Sequence, residues 1–258
     1  MIKDAYVLEV KNISKTFKSE GRIIKAVDDV SFALKKGETL AIVGESGCGK
    51  TTTGRMLLKL IDSDKGEIIF KGQNIACLSK KKMRPIRPEI QIIFQDPYGA
   101  LNPRMTIRQL LAEAVLENPD VKKENVQAHC IELLERVEMK KEDLYKFPHE
   151  FSGGQRQRLV IARAIATNPD VIICDEPVSA LDLLVQAQIL NLLKELQKEL
   201  KLSYVFISHD LSVVKHMSDR IVIMQDGKIV ELGTKNEIFD FPKQHYTKRL
   251  LDSILPIK

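Results

Sequence analysis

The stretch Gly44-Glu-Ser-Gly-Cys-Gly-Lys-Thr51 lies between an apolar run, Glu38 to Val43, and a helical pattern that begins at Lys50. A buried strand, a glycine-rich turn and a helix start in this order form a cradle for phosphate. Successive backbone amides and the positive end of the helix converge there on one anion. Gly44, Glu45, Ser46, Gly47, Cys48 and Gly49 supply the turn. Lys50 is expected to reach the β- and γ-phosphates of a nucleotide, and the Thr51 hydroxyl to hold magnesium, with Thr52 counted among the nucleotide contacts. The bare pattern arises by chance in roughly one chain in a hundred of this length, so its surroundings must decide. Here the flanking strand and helix both stand where the mechanism needs them.

At 258 residues, 44% of them apolar, the chain can fill one large core or a core with an inserted lobe. It has no N-terminal charged-then-apolar signal, and its apolar runs fall short of the ~18 residues of a membrane-spanning helix. A cytosolic chain is expected. Cys48, Cys77, Cys130 and Cys174 are isolated in sequence, which suggests thiols rather than a disulfide framework or a metal pair. The net charge of +5 suits a solvated basic face. Without tryptophan or an aromatic-interleaved basic tract, nucleic acid is not the expected partner, although Lys80 to Arg84 is a local basic cluster.

Tyr6 to Leu34 reads as strands, broken at Lys18 to Arg22, and forms a small antiparallel element ahead of the cradle. Phe17 in it is either core or an aromatic face for a purine ring. A helix is expected from Lys50 to Leu60, then a turn at Asp62 to Gly66 and a strand after it. Glu89 to Phe94 reads as a buried strand delivering Gln95 to a loop, where it can contact a metal or water or simply tie the loop. From Thr106 to Phe147 apolar residues recur at helical spacing, predicting a helical lobe. Ser152, Gly153, Gly154 and Gln155 then open another helix, either as a plain cap or as a second anion site.

The run Val171 to Asp175 predicts a strand buried on both faces, with Asp175 and Glu176 at its carboxyl end, where α/β folds bind ligands. Asp175 can hold magnesium. Glu176 points differently and can polarise a water for attack on a γ-phosphate. After Ser179 to Asp182 come an amphipathic helix, Leu183 to Leu200, and an apolar strand, Ser203 to Ser208, with His209 at its end. A lone histidine is usually structural; at a strand end it can also bond the γ-phosphate. A hairpin turning at Asp226-Gly227 and a short helix complete the chain.

In order, the set GESGCGKT, Gln95, FSGGQ, VIICDE, SALD and His209 resembles the ATP-binding subunits of ABC transporters, and the likeness covers nearly the whole chain. The resemblance implies an α/β P-loop NTPase core with a small antiparallel β element and an inserted helical subdomain. It places the core in 1–97 and 162–258 and the helical subdomain in 98–161. It also implies that Phe17 stacks on adenine, that Gln95 senses magnesium and the membrane partner, and that Asp175 binds the metal. Glu176 and His209 become catalytic beside Lys50 and Gln95, and Asp182 joins the nucleotide contacts. Ser152 to Gln155 is similar to the signature motif, which in this family binds the γ-phosphate of ATP held by another subunit. ATP and Mg²⁺ are the implied cofactors.

The implied partners are a second, identical or similar ATPase subunit, two membrane-spanning permease subunits and, indirectly, an extracytoplasmic binding protein, with no nucleic acid. The implied place is the cytoplasmic face of the cell membrane. The stretches QDPYGALNPRMT, ISHDLSVVKHMSDRIVIM and HYTKRLL resemble the dipeptide, oligopeptide and nickel importer branch. Peptide-type members often continue into a cysteine-containing extension that this chain lacks, and Leu183-Leu184 stands where smaller or β-branched residues are expected. A soluble ABC ATPase acting on nucleic acid or ribosomes is the alternative reading. A GTPase is disfavoured by the lack of an Asn-Lys-x-Asp stretch.

Overall fold

The computed structural model describes residues 6–19 and 22–252. They form two compact units, one from the residues up to Arg84 and from Ser203 onward, the other Pro85–Leu202. The second unit extends beyond the helical subdomain 98–161 that the resemblance implies.

In the first unit, β1 (Tyr6–Ser19) and β2 (Arg22–Lys35) pair antiparallel, Leu8 opposite Leu34 and Phe17 opposite Ile24. The pairing shifts register inside β1, with Asn12 bent to a φ of 51°. The expected break at Lys18 to Arg22 centres on Glu20 and Gly21, which lie outside the described residues. Next comes β3 (Thr39–Val43), five residues all buried. The helix α1 (Lys50–Leu57) stops short of Leu60 because Lys59 turns left-handed, at a φ of 53°, and its ammonium pairs with Asp62 at 2.7 Å. The strand β4 (Lys65–Phe70) pairs antiparallel with β1, and β5 (Gln73–Asn74) with β4, completing a sheet in the order β2-β1-β4-β5. A short α2 (Lys80–Met83) closes the segment.

The second unit begins with β6 (Ile90–Ile93), in which Gln91 and Ile92 are half-buried, so the strand is less enclosed than its apolar sequence predicts. Helices α3 (Pro97–Ala100), α4 (Ile107–Leu116), α5 (Val126–Arg136) and α6 (Gly153–Ile165) follow. The helical spacing is met: α4 buries Ile107, Leu110, Leu111 and Val115, and α5 buries Cys130, Leu133 and Leu134. A reciprocal cap between Thr106 and Gln109 starts α4. The fully buried β7 (Val171–Asp175) pairs in parallel with β6, Ile93 opposite Cys174, and leads to α7 (Leu183–Leu200).

The chain returns to the first unit with β8 (Ser203–Ser208), α8 (Leu211–Met217), β9 (Arg220–Gln225), β10 (Lys228–Thr234), α9 (Lys235–Asp240) and α10 (His245–Asp252). The strand β3 runs parallel to both β8 and β9, with Val43 opposite Ser208 on one side and Ile223 on the other. The strands β9 and β10 form the expected hairpin, with Asp226 and Gly227 both at positive φ, as a two-residue turn requires. Ala41, Val43, Ile221, Ile223, Leu211, Val214, Ile238, Tyr246 and Leu251 pack as one cluster that joins β3 and β9 to α8, α9 and α10. Each large aliphatic side chain in it contributes about 1.5–3 kcal/mol through burial. Among the described residues no helix is long and apolar enough to cross a membrane. The four cysteines are free thiols.

Candidate nucleotide site

The central strand β3 ends at Val43, and residues 44–49 turn the chain into α1. Gly49 caps that helix in a left-handed conformation, φ 107°, with no side-chain bond to the first-turn amides and no acidic residue among them. A first turn with no side-chain cap, at the positive end of the helix dipole, suits an anion site. Glycine is needed at 49 because a Cβ there would drive into the carbonyl oxygen of Ala26. Lys50 is 5% exposed, and its ammonium donates to the carbonyl oxygens of Gly44 at 2.8 Å and Glu45 at 2.9 Å. A buried cation beneath its own loop holds the turn in shape and stays within reach of an anion in it. Burial pushes the neighbouring Cys48 thiol up despite Lys50, so it remains a neutral packing group. Thr51 and Thr52 are half-buried, and Glu45, Ser46 and Gly47 are exposed at the rim.

Parallel pairing brings the carboxyl ends of β3 and β8 together, Val43 beside Ser208, so His209 emerges next to the start of the loop. Its backbone is fixed by two flanking bonds: Ser208 Oγ accepts from Asp210 N at 3.0 Å, and Asp210 caps α8 by accepting from Ser212 N at 2.8 Å. The histidine is exposed, so it is no core residue. Phe17 is 38% exposed, which removes the core alternative, and the Lys15 ammonium lies over its ring at 5.7 Å from the centre.

In the second unit the same parallel logic sets the ends of β6 and β7 side by side, Ile93 opposite Cys174. Gln95 leaves β6 exposed, and the Asp96 carboxylate fixes the next turn by accepting from Tyr98 N at 2.9 Å. Asp175 is 8% exposed at the end of β7. Glu176 adopts a φ of 50°, a left-handed conformation that costs a non-glycine residue energy and occurs preferentially where function fixes it. Ser179 stabilises this bend: its amide and hydroxyl donate to the Glu176 carbonyl at 3.3 and 3.2 Å. Asp182 is the cap of α7, accepting from Val185 N at 3.0 Å.

Ser152 caps α6 with a reciprocal box. Its hydroxyl accepts from Gln155 N at 3.3 Å, and Gln155 Oε1 accepts from Ser152 N at 2.9 Å. Ser152 and Gln155 are exposed, and Gly153 and Gly154 lie half-buried between them. Glycine is dictated at 154, where a Cβ would come within 2.5 Å of Val185 Cγ1. The plain-cap alternative therefore describes the helix end as it stands.

One contact escapes local reading. Tyr246, in the HYTKRLL ending, accepts a bond from Glu45 N at 3.2 Å, and the two residues lie 201 positions apart. Burial raises the Tyr246 hydroxyl above its ordinary range, so it stays protonated. No periodicity or motif in either segment points to the other.

The pattern that defines the ABC transporter family matches residues 27–179, more than half of the chain. Over 251 residues the chain is 51% identical to the oligopeptide transport ATP-binding protein OppF of Bacillus subtilis (strain 168), covering 96% of this chain and 82% of that protein. It is 50% identical to the dipeptide transport ATP-binding protein DppF of Escherichia coli (strain K12), over 90% of this chain and 70% of that one. Among solved structures, the ATP-binding cassette MJ0796, a dimer in a post-hydrolysis state bound to ADP and Pi, superimposes with a TM-score of 0.79. The two are 30% identical, over 88% of this chain and 98% of that one. An uncapped, glycine-built helix start above a buried lysine is chemistry for nucleotide phosphate, and with these likenesses it places the chain in the ABC transporter family as an ATPase of the α/β P-loop class.

Proposed function

We propose that the chain is the ATP-hydrolysing subunit of a peptide importer, working at the cytoplasmic face of the cell membrane. The observation that carries this reading is the start of α1, where glycine replaces a side-chain cap and the Lys50 ammonium rests on carbonyls it can exchange for phosphate. OppF and DppF are by name transport ATP-binding proteins for oligopeptides and dipeptides, which supports peptides as cargo. Neither name points to nickel, nor to the alternative of an ATPase acting on nucleic acid or ribosomes.

In this reading the amides of residues 44–52 bind the phosphates, Lys50 turns from Gly44 and Glu45 to the β- and γ-oxygens, and Phe17 stacks on adenine. Thr51, Gln95 and Asp175 would hold Mg²⁺. All three offer oxygen donors, which suits a hard cation, and the ion would neutralise charge between the β- and γ-phosphates. Glu176 accepts a proton from the attacking water, and His209 bonds the γ-phosphate. Ser152 to Gln155, with Asp182, serve ATP held by a second ATPase subunit, identical or similar, consistent with the dimeric state of the cassette MJ0796. Two permease subunits dock near Gln95, and an extracytoplasmic binding protein delivers the cargo to them.

Membrane vesicles carrying the full set of subunits should take up labelled peptide in an ATP-dependent way and lose uptake with Glu176→Gln. Uptake of nickel but not peptide would overturn the assigned cargo, and uptake unaffected by the variant would overturn the assigned base.

A further inference from the structure

The peptide plane joining Gly44 to Glu45 is held at both edges. Its carbonyl oxygen accepts from Lys50 Nζ at 2.8 Å, and its N–H, on Glu45, donates to Tyr246 Oη at 3.2 Å. The two ties differ in kind. Lys50 is the cation that turns to phosphate when nucleotide enters, so its bonds to the loop are exchanged at that moment. Tyr246 carries no charge, and its ring is 7% exposed inside the cluster that joins β3, β9, α8 and α9, so nothing in nucleotide binding requires it to move. A peptide that loses one of two anchors can rotate, and rotation here would redirect the amides that follow it.

The position of Tyr246 is itself set from a distance. Glu231 on β10 gathers the start of α10, accepting from Lys243 N at 2.9 Å, from Gln244 N at 3.1 Å and from the Thr247 hydroxyl. Thr247 is fully buried. On the outer side, the Arg249 guanidinium lies 5.4 Å from the Tyr246 ring centre and 3.5 Å from the Glu45 carboxylate. Both charged groups are about 60% exposed, so solvent screens the pair and the hydroxyl bond is the stronger link.

We propose that Tyr246 is a positioning residue for the phosphate loop, its hydroxyl fixing the Gly44–Glu45 peptide while Lys50 exchanges loop carbonyls for phosphate. The inference rests on the nucleotide reading of the loop.

The test uses the full chain, MgATP as probe, and two variants. Tyr246→Phe removes one hydroxyl and keeps the ring. Ile238→Val removes one methylene from the same cluster without touching the loop, at a comparable cost in stability. The expected result for Tyr246→Phe is a dissociation constant for MgATP raised about two- to tenfold, the range one hydrogen bond supplies. Exchange of the Glu45 amide hydrogen should be faster in that variant, and Ile238→Val should change neither quantity. Wild-type affinity in Tyr246→Phe, or an equal loss in Ile238→Val, overturns the inference while leaving the nucleotide reading intact. Failure of the wild-type chain to bind MgATP overturns the nucleotide reading and this inference with it.

Discussion

The amides at the start of α1 meet no side-chain cap, whereas those at the start of α6 are partly taken by the reciprocal bonds of Ser152 and Gln155. Glycine stands at both helix starts, as the cap of α1 and the first residue of α6, and both are candidates for phosphate, yet the first has no side-chain cap and the second is closed on itself. The physical difference lies beneath each end. Under α1 sits Lys50, whose ammonium rests on carbonyls of the phosphate loop itself; near the start of α6 the buried cation is Arg156, and it is turned to the carbonyls of Pro148 at 2.7 Å and His149 at 3.3 Å, ahead of the cap. A helix end that has no side-chain cap and whose cation rests on its own loop can hold the ligand by itself. One sealed by its own cap must exchange a protein bond for each bond to the ligand, which suits a site that binds only when something else presents the phosphate.

If both ends serve one hydrolysis, removing the base should stop turnover with both left intact. Glu176→Gln is expected to cut ATP hydrolysis by about 100-fold or more while MgATP binding persists, as measured by phosphate release and equilibrium binding. Hydrolysis near wild type in that variant breaks the link between the two ends. The next largest effect sharpens the contrast at α1. Lys50→Ala should weaken MgATP binding by about 10- to 100-fold, the loss of a charge-assisted contact, whereas Ser152→Ala in the isolated chain should leave that affinity nearly unchanged.

Ser152→Ala should instead lower thermal stability, by about 1 kcal/mol, through loss of the α6 cap. It should also depress turnover in the assembled pair. Mixing the Ser152→Ala and Lys50→Ala chains restores part of the activity if the two ends meet across subunits, since one site in each hybrid is then intact. A mixture that stays inactive while the wild-type chain dimerises and hydrolyses ATP rules that arrangement out.

The smallest effect concerns the support behind the phosphate loop. Burial acts to raise the Glu231 carboxyl, but bonds from Thr247, Lys243 N and Gln244 N outweigh it and hold the group below its ordinary range. Because the folded value is depressed, the stability it contributes is present above the ordinary carboxylate range and fades as pH falls through the folded value. The melting temperature of Glu231→Gln should therefore lie below that of wild type at neutral pH, and the gap should close on acidification. A gap that is constant with pH would show that charge on Glu231 does not hold α10.

Contiguous sequence determined the parts whose chemistry is contiguous. The turn from β3 into α1, the acidic end of β7, the Ser152 cap and the Asp226-Gly227 hairpin each need only neighbouring residues, because backbone amides and turn geometry are local. Family resemblance then read the order of these parts. Helix and strand limits were less legible: α1 ends where Lys59 turns left-handed to reach Asp62, and the pairing of β1 with β2 shifts register after Val10.

Packing across long separations was not legible at all. Whether Phe17 faces solvent, why Gly49 must lie against the Ala26 carbonyl, and how Tyr246 comes to hold Glu45 depend on surfaces that meet only after folding. A side chain's partners through space leave no periodic trace in its own segment. The sequence thus determined that a phosphate cradle forms, while the tertiary structure decided what holds it still.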